Sequence, residues 1–283
     1  MRGMAPRAIW SGSISFGLVN VPVKLFSAVR QQDVHFNQLE ESTGAHIKYK
    51  RVSEKTGKEV PYEKIVKGYE VAKGSYVTIT PDELQSVAPD ATRTVDIEDF
   101  VDLADIDPIF YESTYYLAPD GDAAAKAYGL LLKAMEATEK VAIGRFVMRT
   151  KEYLCAIRPY DGVLALETML FEDEVVDRRD ISGVPERRSK VPERELKIAT
   201  SLIGSLSTDW KPARYKDTYR EQVLDLIDAK AKGKEIVVPD EPETKAEVVD
   251  LLAALEASVE AAKKSKASKA SSSKSRKPAR KAS

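Results

Sequence analysis

Few side chains in this sequence are arranged for catalysis or metal binding. Its one cysteine is Cys155 and its two histidines are His35 and His46, which leaves no internal disulfide and no histidine-rich metal site. Gly12 and Gly17 have the glycine spacing of a phosphate-binding loop, but the Lys and the Ser or Thr that such a loop needs are missing. Cys155 lies between two apolar residues and is predicted to be a small core residue. These groups favour a binding protein over an enzyme, with no cofactor.

A group of acidic residues between positions 96 and 107 is a further candidate for a metal site. Its members do not follow the spacing of a calcium-binding loop, so a solvated acidic face is the favoured interpretation, and no metal is predicted. The residues are Asp96, Glu98, Asp99, Asp102, Asp105 and Asp107.

Basic side chains are the groups that this sequence concentrates. Residues 263–283 hold seven Lys, two Arg and no acid, although the whole chain has a net charge of −1. That segment has no apolar periodicity, so we expect it to be disordered, and such clusters bind phosphates through counterion release. Two further clusters lie within residues 48–58 and 145–158, where Arg145 and Arg149 have the parity of one strand face. Either these clusters line a basic surface for duplex DNA or they are ordinary solvated strand faces.

The elements that must position these groups divide the chain into a β-rich body (1–190), a helical region (191–260) and a basic tail (261–283). Alternation of apolar and polar residues predicts the strands of the body. A strand over 46–52 would place Lys48 and Lys50 on one face. No internal repeat is predicted. The other strands are expected within residues 8–29, 76–80, 94–103, 114–117 and 140–171.

Helical periodicity is clearest over residues 122–140. Thr80 and Glu83 have capping-box spacing and predict the start of a short helix. Further helices are expected in the helical region, the last of them opening near Thr244. The predicted apolar stripes are Ala124, Tyr128, Leu131 and Met135; Leu196, Ala199, Ile203 and Leu206; Tyr219, Val223, Leu226 and Ile227; and Val248, Leu251, Leu252, Leu255 and Val259.

Several long stretches, all in the same order, resemble bacterial Ku, the DNA-end-binding family of non-homologous end joining. They are AIWSGSISFGLVNVPVKLFSA, IVKGYE, STYYLAPD, KVAIGRFVMRTKEYLCAIRPYDGVLALETMLFEDEV and YKDTYREQVLDLIDAKAKGKE, and the resemblance runs from about residue 8 to residue 259. It implies an α+β fold with a β-barrel core and a bridge, paired in a homodimer whose ring encloses a double-stranded DNA end. It also implies no catalytic centre for joining and a helical region that recruits the ATP-dependent DNA ligase D.

The resemblance places the bridge at about residues 44–67 and the strands that cradle DNA at 141–171, where the basic clusters lie. The candidate DNA-binding residues are Lys24, Lys48, Lys50, Arg51, Lys55, Lys58, Lys67, Arg145, Arg149, Lys151 and Arg158 in the body, and Lys263, Lys264, Lys266, Lys269, Lys274, Arg276, Lys277, Arg280 and Lys281 in the tail. The candidate partner-binding residues are Leu251, Leu252, Leu255 and Val259, which either recruit the ligase or pack on their own body.

One departure from the family concerns zinc. In some bacterial Ku proteins the bridge contains a C-x-x-C segment that resembles a zinc-binding hairpin. This chain has Ser53 and Thr56 at the two cysteine positions. We therefore expect a hairpin without metal, held by strand pairing and a turn at Gly57.

Two rival functions stay open, and so does the place of the dimer interface. The rivals are a lyase that acts on damaged ends through a lysine Schiff base and a nucleoid-coating protein with no preference for ends. A dimer interface is expected at the apolar run Leu164, Leu166, Met169 and Leu170, which has too many apolar residues for one exposed strand face.

The longest uncharged run, residues 8–23, is too short and polar to span a membrane, so a soluble, cytoplasmic, nucleoid-associated protein is expected.

Overall fold

The computed structural model describes residues 6–89, 92–185, 191–233 and 258–260. The chain divides into two units, Met1–Asp180 and Ile181–Ser283. The strands are β1 (Trp10–Phe16), β2 (Val19–Ser27), β3 (Lys67–Ala72), β4 (Ser75–Ile79), β5 (Thr94–Asp102), β6 (Tyr111–Pro119), β7 (Lys140–Met148), β8 (Lys151–Tyr160) and β9 (Val163–Met169). The helices are α1 (Pro81–Ser86), α2 (Asp122–Thr138), α3 (Glu193–Leu206) and α4 (Thr218–Ala231).

Seven strands of the first unit close into a barrel in the order β1-β2-β6-β9-β8-β7-β5. Neighbouring strands are antiparallel except at the closure, where β1 pairs with β5 in parallel. A two-residue turn, Asp161–Gly162, with positive φ at both residues, joins β8 to β9. The sequence predicts a turn over Pro159–Gly162, but Pro159 and Tyr160 are the last residues of β8. The expected α+β fold with a β-barrel core is confirmed.

Helix α2 packs its apolar stripe into the barrel core. Ala124, Tyr128, Leu131 and Met135 are its buried residues, as predicted. The Tyr128 hydroxyl donates to the Leu117 carbonyl at 2.7 Å and accepts from the Leu164 N–H at 2.8 Å, which ties the helix to β6 and β9. The helix thus has both an apolar and a hydrogen-bonded attachment to the barrel.

Two other local predictions are confirmed. The side-chain and main-chain groups of Thr80 and Glu83 form the predicted capping box at the start of α1. Cys155 is fully buried in the barrel core, and burial raises the pKa of its thiol. A neutral, inaccessible thiol is a structural group and not a nucleophile.

Strand β9 was expected at a dimer interface, and that prediction is wrong. Of the predicted run, Leu164 and Leu166 are completely buried, Met169 is 9% exposed and Leu170, just after the strand, is half-buried within the single chain. The strand lies in the middle of the barrel wall and is buried on both faces, which is why it reads as a continuous apolar run. Its apolar side chains therefore pack in the core of their own subunit and are not available to a partner.

A hairpin of β3 and β4 stands outside the barrel as a two-stranded sheet. Each of its residues is exposed except Ile79, which is half-buried. Tyr69, Val71 and Tyr76 are 68%, 59% and 61% exposed. No described part of the chain covers these apolar side chains. Because a two-stranded sheet alone in water is marginally stable, we expect the hairpin to need a covering surface.

The helices of the second unit present apolar side chains to solvent. Three of the four residues of the predicted α3 stripe, Leu196, Ile203 and Leu206, are 56%, 68% and 64% exposed. The less exposed residues of α3 are Glu195, Ile198, Ala199, Leu202 and Ser205. Most of the predicted α4 stripe is exposed as well. No helix within the described ranges is both long and apolar enough to cross a membrane.

Candidate nucleic-acid interface

Residues 38–60, here called the arm, contain most of the predicted bridge. The strand expected over 46–52 is wrong: the arm has only two isolated bridges, Leu39 with His46 and Val52 with Glu59. The alternation of side chains is present, but no long neighbouring strand runs beside it to form a ladder. The basic residues of this segment therefore lie on the second of two short turns and on the link between the turns.

The two turns of the arm have the same construction. In the first, the Gly44 N–H donates to the Glu40 carbonyl at 2.8 Å, and in the second the Gly57 N–H donates to the Ser53 carbonyl at 2.7 Å. Both glycines have positive φ, 68° and 64°. The pattern Glu-x-Thr-Gly-x-x-Ile/Val-x-Tyr occurs at residues 41–49 and again at 54–62. The prediction of no internal repeat was wrong at this scale.

The hairpin around Gly57 is held by main-chain pairing, as expected. The Ser53 N–H donates to the Lys58 carbonyl at 2.9 Å and the Val60 N–H to the Arg51 carbonyl at 2.8 Å. Thr56, at a position of the family's C-x-x-C, accepts from the Lys58 N–H at 3.4 Å. Among the described residues, no three His, Cys, Asp or Glu side chains lie close enough together to hold a metal ion.

The basic side chains of the arm fall into two classes. Lys48, Lys55 and Lys58 are exposed and have no ion pair with a described residue. Lys50 pairs with Glu59 at 2.7 Å, and the Arg51 guanidinium lies 5.4 Å from the centre of the Tyr62 ring. Three cations of the arm are thus fully available to an anion, and two have competing partners.

Several candidate residues of the barrel wall are paired with acids of the same chain. Lys24 contacts Asp120 at 2.5 Å. Arg145 contacts Glu98 at 3.1 Å and Glu152 at 3.5 Å. These surface pairs are weak, but a phosphate must displace the carboxylate before it gains the cation. Spacing along the sequence does not reveal the pairs, because the partners come from neighbouring strands.

The Arg158–Glu167 pair is the most buried of these. Both the Nε and the Nη2 of Arg158 donate to Oε1 of Glu167, at 2.8 Å and 2.7 Å, and the Glu167 side chain is 5% exposed. Burial, with a smaller effect of the Glu167 charge, raises the pKa of the adjacent Tyr111. Arg158 therefore compensates a buried carboxylate, which makes it the weakest of the predicted contacts to DNA.

The expectation that Arg145 and Arg149 share a strand face is wrong. Strand β7 ends at Met148, and Arg149 begins a two-residue turn to Lys151 with φ 64°. Lys151 itself lies 5.1 Å from the centre of the Tyr153 ring. The turn carries Arg149 to the end of the barrel, where it lines a cavity with Arg93, a residue that sequence reasoning missed.

The other predicted residues are only partly described. Lys67 is exposed at the start of β3. Val259 is half-buried and lines a cavity with Ile198 and Ser201 of α3, which favours packing within its own unit over a free partner surface. Leu251, Leu252, Leu255 and every predicted residue of the tail lie outside the described residues.

Comparisons with known proteins agree with this architecture. A family profile described as the Ku70/Ku80 beta-barrel domain matches residues 15–198. A protein named non-homologous end joining protein Ku from Anaeromyxobacter is 51% identical over 91% of this chain and 86% of its own length. Proteins of the same name from Archaeoglobus fulgidus and Bacillus subtilis are 42% and 39% identical, over 91% and 89% of this chain and 100% and 81% of their own lengths. Because the Ku profile matches more than half of the chain and these relatives are 39–51% identical over about nine tenths of it, the chain belongs to the Ku family.

Proposed function

We propose that this protein binds double-stranded DNA ends without sequence specificity in non-homologous end joining. The observation that carries the proposal is the predicted bridge, where residues 44–67 hold seven basic and three acidic side chains. Within it, Lys48, Lys55 and Lys58 of the arm are exposed and have no ion pair with a described residue. Cations that are exposed and unpaired bind backbone phosphates of any sequence. The protein acts as a binding factor and not as an enzyme.

The active form in this proposal is a homodimer that closes a ring around DNA. The exposed β3–β4 hairpin supports it, because Tyr69 and Val77, which pair across the two strands and share one face, are 68% and 51% exposed and need a covering surface. A two-fold axis covers the same patch on both subunits at once, and one copy alone cannot enclose a duplex. The dimer interface is thus assigned to this hairpin, in place of β9.

The proposal is tested with duplexes of equal length whose ends are either open or closed by hairpin caps. We expect a dimer by light scattering at micromolar concentration, and binding to open duplex at least about tenfold tighter than to capped duplex, since a ring threads only on a free end. Equal affinity for both would contradict the ring and favour a coating protein. Borohydride trapping on abasic DNA would support the lyase instead.

We also propose that the segment around residues 243–259 recruits DNA ligase D. The support is its predicted apolar stripe, and the alternative is packing on α3, next to Ile198. Deleting residues 243–259 is expected to abolish stimulation of the ligase while end binding stays within about twofold of the full chain, because the basic arm is untouched. A parallel loss of end binding would show that the segment is structural.

A further inference from the structure

Among the described residues, two arginines and no acid line the cavity at the end of the barrel. It has a volume of about 450 Å³, and Arg93 and Arg149 are the charged residues among those described that line it. Neither arginine has an ion pair with a described residue, in contrast to Lys24, Arg145 and Arg158 of the barrel wall. The cavity is therefore a concave site with uncompensated positive charge.

The backbone holds both arginines in a conformation that is unusual for them. Arg149 has φ 64° at the first position of a two-residue turn, where glycine is the usual residue. Arg93 has φ 51° immediately before β5, and its carbonyl accepts from the Ser13 N–H at 2.9 Å. Left-handed backbone at non-glycine residues is unfavourable and is found preferentially at ligand sites.

Trp10 forms the aromatic part of the same cavity. Its indole Nε1 donates to the Val147 carbonyl at 3.0 Å, and its ring packs edge-on against Phe146 with centroids 5.7 Å apart. A Cβ at Gly12 would overlap both the Arg93 carbonyl and the Trp10 ring, so glycine is needed for this close approach. The half-buried indole is thus fixed in orientation beside the two guanidinium groups.

This combination matches one class of ligand. Guanidinium groups free of acids bind phosphate, and an aromatic ring beside them offers a surface on which an unpaired base can stack. The volume is within the range of sites for small ligands, whereas paired bases inside a duplex cannot enter a cavity. We propose that this cavity binds an unpaired nucleotide of a single-stranded DNA overhang, with its phosphate at Arg93 and Arg149 and its base against Trp10.

The inference rests on the proposed end binding, which brings the overhang to the barrel. Binding is measured by anisotropy on duplexes capped at one end, whose other end is blunt or has an overhang of four nucleotides. We expect the overhang to bind about five- to tenfold tighter, the effect of stacking one base. A photoreactive uracil in the overhang should crosslink to Trp10.

The variants Arg93→Gly and Arg149→Gly remove the guanidinium groups and keep the turn geometry. The double variant should lose the advantage of the overhang, so that the ratio of the two Kd values approaches one. For Arg93→Gly the blunt-end Kd should stay within twofold. Because glycine suits positive φ, Tm should be unchanged or rise by up to about 4 °C, which excludes unfolding as the cause. Arg178→Gly removes an exposed arginine elsewhere and should keep the overhang preference.

The outcomes separate this site from end binding itself. A wild-type protein that binds blunt and overhanging ends equally, or a double variant that keeps the preference, would contradict the site and leave end binding intact. Equal weakening on both ends would assign the arginines to the duplex. Failure of the wild type to bind any open end would overturn the proposed function and this inference with it.

Discussion

Charge reversal of Lys48, Lys55 and Lys58 to Glu is expected to weaken binding to open DNA ends by about 100- to 1,000-fold at low salt. These three arm cations are exposed and have no ion pair with a described residue, so their full charge is available to phosphates. Each lost contact should also make the slope of log affinity against log salt shallower by about 0.9, or roughly 2.7 for the three. Titrations at several salt concentrations measure both quantities.

Two control variants distinguish the effect of where the cations lie from the effect of the change in net charge. Exchanging the charges of Lys50 and Glu59 keeps their 2.7 Å pair and the net charge, and should change affinity less than about threefold. Reversing Lys126, Lys133 and Arg178 to Glu gives the same change in net charge on exposed residues outside the arm. If that control weakens end binding as much as the arm variant, the effect is one of total charge and the arm is not the contact surface.

The local architecture of this chain follows from short-range patterns. The buried stripe of α2 was predicted residue by residue, because a helix with one buried face repeats every 3.6 residues. The turn between β8 and β9 was predicted over Pro159–Gly162, and its last two residues, Asp161 and Gly162, are types that accept the positive φ found there. In both cases the physical cause lies within a few positions along the chain.

Features that depend on distant residues were not predictable in this way. Lys48 and Lys50 alternate as in a strand, yet a strand exists only where another pairs with it, and the arm has isolated bridges alone. The partners of Arg145 and Arg158 lie on other strands. Arg93 gave no local signal at all, since only barrel closure brings it beside Trp10. The sequence thus locates the basic segments, and the fold decides which cations are free.

The position of the dimer interface also depends on residues that are distant in the sequence. The apolar run of β9 was assigned to an interface because one exposed face cannot carry so many apolar residues. A strand in the middle of a barrel wall with buried surfaces on both sides accounts for the run without a partner. In contrast, the β3–β4 hairpin alternates in a way that resembles a solvated sheet. Only the fact that no element among the described residues covers it identifies it as a candidate interface.

Deletion of residues 263–283 is expected to change the salt dependence of binding without removing the preference for ends. The segment, which lies outside the described residues, holds nine cations and no acid. About a third to a half of these cations are expected to contact phosphate at one time, so the slope of log affinity against log salt should become shallower by roughly 3–4. The ratio of affinities for open and capped duplexes should persist or increase, because threading would depend on the proposed ring and not on the tail. A permuted tail of the same composition should restore the original slope, since phosphate contacts need charge and not order. If the deletion instead abolishes the preference for open ends while the arm variant keeps it, the tail is the end-binding element and the ring is not.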